Sequence, residues 1–326
     1  MELRNLHYFR EISAIPRKSF HEEKIADYLE AFARTHGLWH TRDQLHNVVF
    51  KKPGSAGREQ EAPLMLQAHT DMVCAKEPWS RHDFLRDPIE IREKDGWMMA
   101  NGTTLGADDG AGVANILGLL DEPALSHPPL ECVFTVQEED GMGGAKGLDM
   151  SALRSRRMIG LDGIQEGTTI YSASAVRGCK FQAKFCQDAA PAENTYRLTV
   201  SGLTSGHGAL MIGADAGAEL GNGEHVATGG VFEGFGIEMK DESPSARPGL
   251  TSPLAQSLVE LVRERTGREP LAKLGWTDVA RFSMLGIPAV NLGAGSPLLA
   301  HTIGAERLRQ IVPDDAVAVI IGEQHE

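Results

Sequence analysis

Two residues in the stretch Leu64-Met65-Leu66-Gln67-Ala68-His69-Thr70-Asp71-Met72-Val73 are placed for chemistry. His69 ends a short apolar run, and Asp71 follows two positions later. An extended strand points residues i and i+2 to the same side. His69 and Asp71 are therefore expected to act together at the strand's C-terminal end, where open α/β sheets place their ligands. The chemistry this suggests is an imidazole that binds a metal, with an acid behind it that orients or tunes it. Taken alone, such a pair is more often a core histidine beside a turn aspartate.

Four further residues change that balance: Asp108, Glu139, Asp162 and His301. Asp108 follows the glycine-bounded run Gly102-Thr103-Thr104-Leu105-Gly106-Ala107 at the start of a helical pattern. Glu139 lies in Gln137-Glu138-Glu139-Asp140-Gly141, just past an apolar strand, and Asp162 ends another. Four of the five candidates thus stand at a strand end or a helix opening, along one edge of a sheet. Imidazole with carboxylate suits Zn²⁺, and also Mn²⁺ or Co²⁺. The set contains no thiolate, which points to a catalytic rather than a structural site. Five ligands are too many for one tetrahedral ion with an open position. They suit two ions about 3.5 Å apart that share a carboxylate. Asp108 is the expected bridge, with His69 and Asp162 completing one ion and Glu139 and His301 the other. Glu138, beside Glu139, is expected to face the substrate as general base. It would take a proton from metal-activated water and return it to the leaving amine.

The elements that must position these residues read as alternating strands and helices. Leu3, Leu6, Phe9 and Ile12 recur at helical spacing and stop at Pro16. Ser19 followed by Glu22 reads as a capping box before a second helix, which ends at Gly37. Strands are expected near 38–42, 46–51, 63–69, 130–136 and 157–161. A long loop with some strand fills 74–102, and a helix carries the stripe Val113, Ile116, Leu117 and Leu120. This alternation predicts an α/β core with a mainly parallel central sheet flanked by helices. Residues 176–185 and 195–200 alternate like antiparallel strands, and 202–236 are dense in glycine. Ser252-Pro253 opens another helix that Gly267 stops. A short helix near 277–285, a strand at 287–292 and a last helix over 304–320 complete the pattern. We therefore expect a catalytic domain from 1–175 and 250–326, with 176–249 inserted as a small α+β lid.

With 326 residues, the chain is long enough for one large domain or two smaller ones. A net charge of −13, with scattered basic residues, argues against nucleic acid or an anionic membrane as the main partner. No apolar run approaches the ~20 residues that span a bilayer. Cys74, Cys132, Cys179 and Cys186 form no CxxC pair and read as reduced thiols. With no apolar segment after Met1, the expected location is cytoplasmic.

The stretches Gln67–Val73, Gly102–Gly110 and Glu138-Glu139-Asp140-Gly141-Met142 closely resemble aminoacyl-histidine dipeptidases. These belong to the two-zinc hydrolase family that also holds aminoacylase, carboxypeptidase G and succinyl-diaminopimelate desuccinylase. The resemblance covers roughly residues 5–175. It includes the gaps of 39 residues from His69 to Asp108, 31 to Glu139 and 23 to Asp162. It implies a zinc-aminopeptidase-like core. It also implies two zinc ions on His69, Asp108, Glu139, Asp162 and His301, with Asp71 supporting His69 and Glu138 as base. A cis peptide at Asp108–Asp109 is a further implication. In the last third, Trp276–Phe282, Gly286–Gly293 and Leu298–Thr302 look more like the desuccinylase and acetylornithine deacetylase branch. Gly202-Leu203-Thr204-Ser205-Gly206-His207-Gly208 resembles the family's lid motif, which implies His207 as a donor to the scissile carbonyl's oxygen. The lid segment is short for the family, so the hydrolase is expected to bind metal normally but work slowly and with loose specificity, unless the second subunit of a homodimer covers the site. The expected reaction is hydrolysis of a short peptide of the Xaa-His type by metal-activated hydroxide. N-acyl or N-succinyl amino acids are the alternative substrates, and a metal-binding pseudoenzyme is the alternative outside catalysis.

Overall fold

A computed structural model of the chain describes residues 4–94, 97–163, 168–172, 176–182, 236–243, 252–272, 277–293 and 308–309. The first half runs α1 (Arg4–Ser13), α2 (Glu23–Thr35), β1 (Trp39–Arg42), β2 (Val48–Lys52), β3 (Leu64–His69), β4 (Ile91–Lys94) and β5 (Trp97–Ala100). Next come α3 (Ala107–Leu120), β6 (Leu130–Thr135), α4 (Gly143–Gly147), β7 (Met158–Gly163), β8 (Thr169–Ser172), β9 (Val176–Gln182) and β10 (Gly236–Ser243). The last elements are α5 (Pro253–Thr266), β11 (Leu271–Ala272), α6 (Asp278–Met284), β12 (Ala289–Gly293) and β13 (Leu308–Arg309).

Eight strands form the central sheet in the order β1-β2-β6-β3-β7-β12-β8-β11. Its middle, from β6 through β3 and β7 to β12, is parallel, as the alternation of strands and helices predicts. The β1–β2–β6 flank and the β12–β8 pair are antiparallel, so the whole sheet is mixed. The short 43–47 connection explains one of these pairs, because a tight connection joins only antiparallel neighbours.

Alternate residues of the central strands feed two apolar layers. Phe50, Leu64, Leu66, Cys132, Phe134, Ile159 and Leu161 face α1, α2, α3 and α5, whose Phe9, Ile12, Ile25, Leu29, Ile116, Leu117 and Leu258 complete that layer. Val49, Met65, Val133 and Met158 face the opposite way, onto Val279 and Phe282 of α6 and nearby Ile287. Each such buried side chain contributes roughly 1.5–3 kcal/mol against exposure. Gln67 and His69 share the parity of Met65, so β3 turns polar on the α6 side as it reaches the edge.

At α5, Ser252 Oγ accepts the Ala255 N–H at 3.1 Å, and Gly267 closes the helix at φ +69°. The expected capping box at Ser19 and Glu22 does not form. Glu22 occupies the N-cap of α2 with no side-chain cap bond, because both side chains are engaged elsewhere. Within the 74–102 stretch, β4 and β5 form a hairpin. Leu308–Arg309 pair with β5 as a strand, so the helix expected over 304–320 does not hold at these two residues. The remainder of that span lies outside the described residues, as does the expected strand at 195–200. No helix among the described residues is long and apolar enough to cross a membrane.

Candidate metal centre

The register of the parallel strands decides which residues meet. His69, the last residue of β3, pairs with Thr135, the last of β6. On the other side, Gln67 pairs with Gly160 of β7. The loop after β6 therefore brings Glu138 and Glu139 beside the end of β3, and Asp162 stands near the end of β7. Asp108 enters from the first turn of α3, whose backbone is non-helical at Asp108 and Asp109 and carries the cis peptide between them. The ligand atoms of His69, Asp108 and Asp162 lie within 4.8 Å of one another. His69 Nε2 is 3.2 Å from Asp108 Oδ1. His69 and Asp162 are buried and Asp108 is half-buried.

Asp71 lies just past β3, and its placement explains much of the local order. Its Oδ1 is 3.4 Å from His69 Nδ1, and its carbonyl oxygen is 3.1 Å from the same nitrogen. The carboxylate also accepts the backbone N–H of Glu138 (3.0 Å to Oδ1) and of Glu139 (3.2 Å to Oδ2). One acid thus ties the His69 strand to the Glu138–Glu139 loop. Burial works to raise the pKa of Asp71, but His69, the Ser19 hydroxyl and the Glu138 N–H together hold the carboxyl below its ordinary value. Burial opposes a charge on His69 too, yet Asp108 and Asp71 together raise it well above its usual range.

Two neighbouring acids, Glu138 and Asp109, are pushed the other way. Burial raises the Glu138 carboxyl well above its ordinary value, and Asp162, Asp278 and Glu139 add repulsion that His69 only partly offsets. Asp109 is raised for the same first reason, again against His69, with Asp162 and Asp108 adding to it. So many buried carboxylates around one imidazole favour a divalent cation. The donor set of one imidazole nitrogen with carboxylate oxygens, and no thiolate, fits an ion of the zinc, manganese or cobalt type. Glu139 is half-buried beside this cluster but is not one of the three converging ligands. His207 and His301 lie outside the described residues.

Several residues that hold the site are not singled out by the sequence reading. Asp109 accepts the His69 N–H at 3.2 Å and the Gly112 N–H at 3.1 Å, so it pins α3 to β3. Thr277 donates from its hydroxyl to Asp162 Oδ2 at 3.0 Å, and Asn291 Nδ2 donates to that hydroxyl at 3.0 Å. Asp278, at the start of α6, accepts from Gln67 Nε2 (3.2 Å) and from the Thr135 hydroxyl. Burial lifts its carboxyl to about 7 despite the Thr135 bond. An acid beside a threonine at a helix start was a usable signal for Thr277 and Asp278. Nothing local singled out Asn291.

Fold and site together define an α/β protein whose sheet edge gathers imidazole and carboxylates as in metal-dependent hydrolases. The profile of Peptidase family M20/M25/M40 matches residues 65–320, and the chain belongs to that family. It is similar to the cytosol non-specific dipeptidase of Escherichia coli (strain K12), at 42% identity over 202 residues, 61% of this chain and 41% of that relative. Against the succinyl-diaminopimelate desuccinylase of Corynebacterium glutamicum it is 46% identical over 82 residues, 24% of this chain and 21% of that one. The chain thus matches well under half the length of both curated relatives. In fold it is similar to the aminoacylhistidine dipeptidase of Vibrio alginolyticus, with TM-score 0.72 and 22% identity over 98% of this chain and 97% of that chain.

Proposed function

We propose that this chain is a metal-dependent peptidase that cleaves dipeptides, with zinc as its metal and the cytoplasm as its location. The observation that carries this reading is the approach of His69, Asp108 and Asp162 within 4.8 Å, with the buried Glu138 on the adjoining loop. His69, Asp108 and Asp162 would hold one ion, and Glu139 and His301, with Asp108 shared, a second. Bound there, such a metal centre would supply polarisation of a carbonyl oxygen and a water whose pKa falls towards ~7. Asp71 fixes the tautomer and direction of His69. Glu138 would take a proton from the attacking water at its carboxylate and pass it to the leaving amine. His207 would donate to the carbonyl oxygen of the scissile bond.

We further assign 176–249 to an inserted lid on a catalytic domain formed by 1–175 and 250–326. In support, β9 and β10 pair antiparallel with Val176 opposite Ser243, so the chain enters and leaves this segment side by side. A homodimer in which the partner covers the site fits the short lid. The identity to a desuccinylase favours a second reading, in which the same centre cleaves an N-acyl or N-succinyl amino acid.

Turnover of matched panels of dipeptides, Xaa-His members included, and of N-acyl amino acids with Zn²⁺, Mn²⁺ or Co²⁺ separates the two. Cleavage confined to the dipeptide panel is expected. Cleavage confined to the acyl panel establishes the alternative, and no cleavage of either overturns both.

A further inference from the structure

The loop between α1 and α2 reaches the backbone segments that carry His69, Asp108 and Glu138, yet supplies neither a candidate ligand nor the base. Arg17, only 2% exposed, lies at its centre. Its Nη1 donates to the carbonyl oxygens of Thr70 (3.0 Å) and Asp71 (3.2 Å), and its Nη2 to that of Gly106. Thr70 and Asp71 follow His69, and Gly106 lies two residues before Asp108. One guanidinium therefore spans two of the three segments that deliver the converging ligands. Lys18 forms a parallel bridge with Met72. Ser19 Oγ donates to Asp71 Oδ2 at 2.7 Å, and Glu22 Oε1 accepts the N–H of Gln137, the residue before Glu138, at 3.1 Å.

The surroundings leave room for this grip and little else. A Cβ on Gly106 would come within 2.4 Å of Arg17 Nη2, and one on Gly110 within 2.7 Å. Burying a guanidinium is costly unless its N–H groups find acceptors, and three backbone carbonyls take its Nη1 and Nη2 groups here. Its rigid fork reaches two strands of backbone at once, whereas a lysine presents a single point charge.

We propose that residues 17–22 form a positioning clamp, in which Arg17 sets the His69 segment against the Asp108 segment while Ser19 and Glu22 set the Glu138 loop. The functional consequence rests on the reading of the site as a metal-dependent hydrolase, whereas the clamp itself does not. Arg17 is a positioning residue and touches no substrate.

The test compares the full chain with Arg17→Met and Arg17→Lys by amide hydrogen exchange under chelator, by Mn²⁺ and Zn²⁺ titration, and by kcat and KM on dipeptides. In Arg17→Met, exchange at residues 70–72 and 106–112 should rise about tenfold or more. Metal affinity should fall about 10- to 100-fold, the usual cost of losing a partner behind a ligand. The kcat should fall similarly with KM within about threefold, and Arg17→Lys should recover only part of each. A folded Arg17→Met with unchanged exchange and metal affinity overturns the clamp, even if its melting temperature drops. If Arg17→Met does not fold, Ser19→Ala decides. Faster exchange at residues 138–139 supports the clamp, and unchanged exchange there overturns it. A wild-type chain that binds no metal and cleaves nothing defeats the hydrolase reading, while the exchange comparison still judges the clamp.

Discussion

The two flanks of the site are held by different means. On the β3 and α3 side, a charged loop grips backbone: Arg17 takes the carbonyls of Thr70, Asp71 and Gly106, and Glu22 takes the N–H of Gln137. On the β7 and α6 side, neutral groups act on a side chain: Asn291 donates to Thr277, and Thr277 to Asp162. A grip on backbone fixes where a whole segment lies, so an error there moves every residue the segment carries. A hydroxyl on one carboxylate oxygen orients one ligand and leaves the strand untouched. Damage to the first flank should therefore spread, and damage to the second should stay local.

Glu138→Gln should have the largest effect, because it removes the proton carrier that both flanks serve. We expect kcat to fall by about 100-fold or more with metal content intact. Steady-state kinetics beside metal analysis check this, and a loss of metal in Glu138→Gln would assign that carboxylate to binding instead.

Gly106→Ala tests the spreading flank. Gly106 has φ +73°, and its Cβ would meet Arg17 Nη2. Strain and crowding together should cost about 2–3 kcal/mol of stability in denaturant titration and weaken metal binding as well. Thr277→Val tests the local flank. Metal affinity should fall about tenfold with little change in stability, and Thr277→Ser should restore it. If Thr277→Val destabilised the fold as much as Gly106→Ala, the contrast between the flanks would be lost.

A further effect depends on pH. Burial, with Asp71 nearby, lifts the Glu22 carboxyl from 4.5 to about 7. A carboxyl raised in the folded state binds its proton more tightly there. Stability is then greatest below about 4.5 and is lost as pH rises through about 7. Glu22→Gln imitates the protonated form and keeps an oxygen for the Gln137 N–H. Under chelator the variant should match wild type near pH 4 and exceed it near pH 8 by at most about 3 kcal/mol. A gap that narrows with rising pH contradicts this sign.

What the sequence made legible follows the same division. Strands, helices and the α5 caps were readable because apolar periodicity and Ser252, Pro253 and Gly267 act within a few residues of themselves. The approach of His69, Asp108 and Asp162 was readable because each stands at a strand end or helix opening, where the topology brings them close. The clamp was not. Ser19 and Glu22 carry a capping signature, yet the folded chain spends them on Asp71 and Gln137, contacts 52 and 115 residues away in sequence. Arg17 has the composition of a surface residue, and only the tertiary arrangement of three carbonyls makes its burial stable. The Asn291–Thr277–Asp162 relay was hidden for the same reason, because its links cross between β12, α6 and β7.

Metal titration of the chelated chain, followed by hydrolysis at each step, tests the dinuclear hydrolase reading most directly. Hydrolysis of a dipeptide should rise with added metal, saturate near two ions per chain, and return to zero on renewed chelation. Saturation at one ion or none, or hydrolysis that persists under chelator, would contradict it.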